Sequence, residues 1–156
     1  MAKRWDKHGQ FYLIAALAII TLIIGFAILT NSLEKREFNK VNYLKEELEI
    51  EGEKVVDYGI YTGDTKIEYF TKNFSNYAGK DVNIYYIVGD TTDMQAYTHN
   101  ESGKIAIPFT NIENKTVNVT VDDREYKFKI TPGINFYFII FKKVNEEKYI
   151  ATNKVM

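Results

Sequence analysis

The chain has 156 residues, 20 Lys and Arg against 21 Asp and Glu, and no cysteine. Near-neutral charge excludes the basic excess of a nucleic-acid binder. The missing cysteine excludes disulfides, zinc-thiolate sites, iron–sulfur clusters and a cysteine nucleophile. Once an N-terminal anchor is set aside, about 125 residues remain, enough for one domain with a modest core.

In chain order, residues 1–10 form a short leader with Lys3, Arg4 and Lys7 against Asp6. Residues 11–29, FYLIAALAIITLIIGFAIL, carry no charge, and only Thr21 and Gly25 interrupt the hydrophobic run. Nineteen residues at 1.5 Å each span about 28 Å, close to the hydrocarbon thickness of a bilayer. A core helix of a soluble domain would show a polar stripe, and this run has none. A cleaved secretory signal ends in small residues of the A-x-A type. Here the run ends FAILTN, which favours a retained transmembrane helix over residues 11–29. Flanking charge does not orient it: Lys35, Arg36 and Lys40 nearly balance the leader.

Residues 30–57 read as a helical stalk. Phe38, Val41, Leu44 and Leu48 are spaced 3, 3 and 4, one face of a helix expected to run to about Glu51 and to break or bend at Gly52. That face fits either a contact between subunits or packing on the chain's own β-rich domain. Residues 58–156 form that domain. Ile67, Phe70, Phe74 and Tyr77 predict a short amphipathic helix from near Thr65 to Gly79. Strands are expected at Val82–Val88, at Met94–Thr98 and near Ile105–Phe109, the last ending or lying at an edge because of Pro108. Val117, Val119 and Val121 alternate with polar residues, as do Tyr126, Phe128 and Ile130, which predicts a hairpin turning at Asp122-Asp123. INFYFIIFKKV is apolar on both faces and reads as a central buried strand, with a last strand near Lys148 to Asn153. The expected class is α+β: a long N-terminal helix carrying an antiparallel sheet of about five or six strands and one short helix.

Chemistry is sparse. His99 is the one histidine beyond the leader, so a histidine-based zinc site is not expected. Ser102 lies near it in THNESGK, a turn-like stretch rather than a catalytic dyad. Asp90 and Asp93 in GDTTD are oxygen donors, but they lack EF-hand spacing and fit a solvated turn. No catalytic residue, metal or cofactor is expected, and the chain does not read as an enzyme. Four N-x-S/T sequons fall at Asn73, Asn100, Asn114 and Asn118, all beyond the anchor, which fits either an exported glycoprotein or triplets that an Asn- and Thr-rich chain makes freely.

The junction KHG-QFYLIAALAII places a basic leader, Gly9, Gln10 and the apolar run in immediate succession. It resembles the class III signal peptide of archaeal type IV pilin-like proteins. The resemblance implies that a prepilin peptidase cuts between Gly9 and Gln10. It implies that the helix stays on the mature protein, with a β-rich head outside the cell, single-pass in the membrane or assembled through the N-terminal helix into a surface filament. Many pilins carry Glu at the fifth mature position, which here is Ile14. The alternative is a monomeric, single-pass anchored extracellular domain that binds a ligand or partner.

Overall fold

The computed structural model describes residues 7–63, 66–112 and 115–153. Two helices and eight strands follow in order: α1 Lys7–Thr62, α2 Ile67–Ala78, β1 Asn83–Gly89, β2 Met94–Asn100, β3 Gly103–Ala106, β4 Phe109–Ile112, β5 Thr116–Val121, β6 Arg124–Lys129, β7 Asn135–Val144 and β8 Glu147–Thr152. The protein is α+β, a long N-terminal helix with antiparallel sheets and one short helix, as the sequence leads one to expect. It divides into two compact units, the second of which begins at Lys40.

Within that second unit the strands form two sheets. One has five strands in the order β3-β2-β1-β7-β8, the other three in the order β4-β5-β6, and every pairing is antiparallel. The period of two along each strand sorts side chains between two cores. Ile84, Tyr86, Tyr97, Phe138 and Ile140 point to one face of the five-stranded sheet, where Val41, Leu44 and Leu48 of α1 and Phe74 and Ala78 of α2 cover them. Ile87, Ala96, Tyr137 and Ile139 point to the other face, where Val117, Val119, Val121 and Phe128 of the smaller sheet cover them. The layers are therefore helices, five-stranded sheet and three-stranded sheet. A single sheet of five or six strands underestimates this. Alternation shows which residues share a face but not which sheet a strand joins, and Pro108 splits the expected Ile105–Phe109 strand into edge strands of two different sheets.

The stalk face packs on the chain's own domain: Val41, Leu44 and Leu48 are buried in the first core. Phe38 is exposed, so it drops out of that stripe. Helix α1 does not break at Gly52. Gly52 is buried, and a Cβ there would sit 2.5 Å from Phe136 Cε1, so the missing side chain lets the helix approach β7. Val56 and Gly59 continue the buried face. The stop comes at Gly63, whose φ of +72° and N–H to the Gly59 carbonyl (2.9 Å) end the helix in a left-handed turn.

In α2 the buried stripe is Ile67, Thr71, Phe74 and Ala78. Tyr77, expected inside, is exposed, and Thr71 takes a fully enclosed position because its hydroxyl and carbonyl both find partners beneath the helix. The β5–β6 turn falls at Asp122 and Asp123 as expected. Both have positive φ (50° and 62°), the backbone that lets a two-residue turn follow the strand twist. Strand β7 is the buried strand between β1 and β8.

Candidate functional site

Three features stand out, and each is described within its own unit. The first is the apolar run of α1. From Tyr12 to Leu29 its large side chains are all more than half exposed, on every side of the helix. Thr21 Oγ1 donates to the Leu17 carbonyl (2.8 Å), and Thr30 Oγ1 donates to those of Phe26 and Ala27. The two hydroxyls in and just beyond the run are thus satisfied by the helix itself, as a hydrocarbon surrounding requires. Among the described residues α1 is the one helix long and apolar enough to cross a membrane. Gly9 and Gln10 lie in its first turns.

The second feature is a polar cluster between α2 and the five-stranded sheet. Tyr86 donates to the Thr71 carbonyl (3.1 Å), and Ser75 Oγ lies 2.9 Å from Tyr86 Oη. Thr71 Oγ1 donates to the Glu68 carbonyl, so it accepts from Tyr97 Oη (3.3 Å) and His99 Nε2 (3.0 Å). That fixes the Nε2–H tautomer of a neutral His99 and leaves Nδ1 enclosed without a partner. Lys104 closes the cluster, 4.4 Å from the centre of the Tyr97 ring and bonded to Glu68 (3.0 Å). Burial holds the His99 pKa below its usual 6.5, opposed by Glu68 and helped by Lys104 and Lys72. His99 is engaged with Thr71, while Ser102 lies exposed in the β2–β3 turn.

A pH dependence follows. A histidine whose native pKa is depressed binds fewer protons folded than unfolded, so acid favours unfolding. The contribution is complete above 6.5 and is lost as pH falls from 6.5 through the native pKa. The melting temperature of the full chain should therefore drop between pH 7 and pH 5, and His99→Gln, which keeps a donor near Thr71, should flatten that drop. An unchanged profile in the variant would remove His99 as its source.

The third feature is a groove of 430 Å³ between α1 and α2, bordered by Glu47, Glu51, Tyr69, Phe70, Asn73 and Tyr77. Hydrogen bonding to Tyr43 and Glu47 pushes the Tyr77 hydroxyl up to about 12. Nearby, Asp81 accepts from the buried Lys142 (2.6 Å) and from Lys40 (3.3 Å). Lys142 is the main cause of a depressed Asp81 pKa. The pairing fastens the start of the second unit to the α2–β1 connection.

Asp90 serves its own turn: Oδ1 accepts from the N–H groups of Thr92 (2.7 Å) and Asp93 (2.9 Å) and from the Thr92 hydroxyl. Among the described residues no three acidic or histidine side chains converge as a metal site would require. The fold separates the sequons. Asn73 is exposed on α2, Asn100 is exposed at the end of β2, Asn118 is buried in β5, and Asn114 lies outside the described residues. The Thr71–His99 cluster and the Gly52–Phe136 contact carry no sequence signal, since each joins positions far apart in the chain.

Compared with known proteins, the chain matches no family model, no curated protein and no solved structure.

Proposed function

We propose that this chain is a pilin-like surface protein: membrane-inserted through residues 11–29, processed between Gly9 and Gln10, and assembled through the N-terminal helix as a structural subunit. One observation carries the reading. An uncharged run of α1, apolar on every side and with its large side chains exposed among the described residues, follows immediately on a basic leader and Gly9–Gln10, and the same chain folds a second compact unit with two cores of its own. Such a helix is stable in hydrocarbon or against like helices, and burying its side chains is worth about 25 cal/mol per Å² of apolar surface. The β-rich unit would face the outside, as the sequons also suggest.

Gly9 gives the direct test. A peptidase that reads a small residue before the cut should fail on Gly9→Leu, leaving the leader on the protein while the variant still enters the membrane. Normal removal of the leader from Gly9→Leu would sink the assignment. The second reading, a monomeric anchored binding domain, is favoured by Ile14, which stands where a register-setting acid is expected. High-speed sedimentation of sheared native material separates the two. A subunit pellets in filaments, whereas a monomeric anchor stays with the membranes.

A further inference from the structure

Of the three described sequons, one has the geometry of an acceptor. Transfer to asparagine requires the amide nitrogen to be reachable and the hydroxyl two residues on to lie beside it. Asn100 meets both conditions. It ends β2 and pairs with Gly103, so Glu101 and Ser102 form the tip of a two-residue hairpin. Asn100, Glu101 and Ser102 are all exposed. Asn100 Oδ1 accepts from the Ser102 N–H (2.8 Å), a local turn that draws the serine back towards the amide. Among the described residues, no hydrogen bond occupies Asn100 Nδ2. A cleft of 310 Å³ opens beside it, lined by Asn76, Asn83 and the ion pair of Lys80 with Glu101, polar groups that suit a sugar.

The other two fail on separate grounds. Asn73 and Ser75 sit in α2, where a step of two residues turns about 200° around the axis, so amide and hydroxyl point apart. Ser75 Oγ is moreover bonded to Tyr86 Oη, and the intervening Phe74 is buried. Asn118 and Thr120 share a strand face, but Asn118 is 8% exposed and its Nδ2 donates to Glu125 Oε1 (2.8 Å). A glycan there would have to displace that bond.

We propose that Asn100 is an N-glycosylation site, and that the fold directs modification to it and away from Asn73 and Asn118. The inference rests on the reading that the β-rich unit is exported. The donor is an oligosaccharide esterified to a lipid phosphate. The bond from the sugar C1 to the phosphate oxygen breaks, and the oxygen leaves with its electron pair as lipid phosphate. C1 bonds to Asn100 Nδ2, which gives up one proton that balances the charge on the departing lipid phosphate.

The test is peptide mapping by mass spectrometry on the full-length protein from its native host. The peptide containing Asn100 should carry a glycan mass, while those containing Asn73 and Asn118 should not. Asn100→Gln and Ser102→Ala should each abolish the modification, and Ser102→Thr should keep it. All three changes fall in an exposed turn. A bare Asn100 would overturn the inference, as would a glycan on Asn118. The same spectra read the mature N-terminus. A start at Gln10 with Asn100 bare refutes this inference and leaves the processing intact. A start at Met1 with Asn100 modified supports the inference and refutes the processing.

Discussion

Replacing Ile20 and Ile24 together with aspartate is expected to release the protein from the membrane fraction. Both lie in the middle of the apolar run and both are exposed along α1. At the centre of a membrane helix aspartate costs about 2.5–3.5 kcal/mol, and the isoleucine it replaces contributes about 0.3–0.6 kcal/mol in favour of insertion. Two such changes weigh about 6–8 kcal/mol against insertion, a shift of more than four decades in the partition. They also leave uncharged stretches too short to cross a bilayer. Alkaline extraction of membranes reads the result. The double variant should appear in the supernatant, and Ile20→Leu with Ile24→Leu should stay in the pellet. If the aspartate variant resists extraction, the helix is not what holds the protein.

The second large effect belongs to Gly89, which closes the β1–β2 loop. Its φ is +147°, and a Cβ there would lie 1.9 Å from the Asp93 carbonyl oxygen. The collision is with backbone, which cannot rotate aside. The same residue is fixed on both sides, paired with Met94 on β2 and with Asn135 on β7, whose Nδ2 donates to the Gly89 carbonyl (3.3 Å). Backbone strain of about 1–3 kcal/mol and a comparable overpacking cost combine to about 2–6 kcal/mol for Gly89→Ala. That is a large share of the 5–15 kcal/mol typical of a domain. Gly103 is the control. Its φ is +122°, but a Cβ there meets nothing within 4 Å, so Gly103→Ala should cost only about 1–2 kcal/mol of strain. Denaturant unfolding of the detergent-solubilised chain, followed by tyrosine circular dichroism, compares the two. Equal midpoints would contradict this account of the loop.

Local signals were legible where chemistry acts over a few residues. The apolar run is visible because nineteen uncharged residues without a polar stripe match the hydrocarbon thickness of a bilayer. The Asp122–Asp123 turn is visible because alternating strands flank residues that tolerate positive φ. Strand β7 is visible because a strand covered on both faces loses its alternation. What stayed hidden depends on partners distant in sequence. Gly52 reads as a helix break until Phe136 is seen against it. Thr71 lies outside the expected stripe of Ile67, Phe70, Phe74 and Tyr77, and only Tyr97 and His99 beneath the helix explain its burial, while Tyr77 stays outside. The three-stranded sheet over the second core is hidden for the same reason. The sequons look alike as triplets, and only helix geometry at Asn73 and burial at Asn118 tell them apart from Asn100.

The proposed assignment turns on the first residue of the mature protein. Intact-mass and N-terminal sequencing of material from native membranes measures it directly. Processing of the pilin type predicts a chain that begins at Gln10, with the apolar helix retained. A chain that begins at Met1 or Ala2 would contradict it and leave residues 11–29 as an uncleaved anchor.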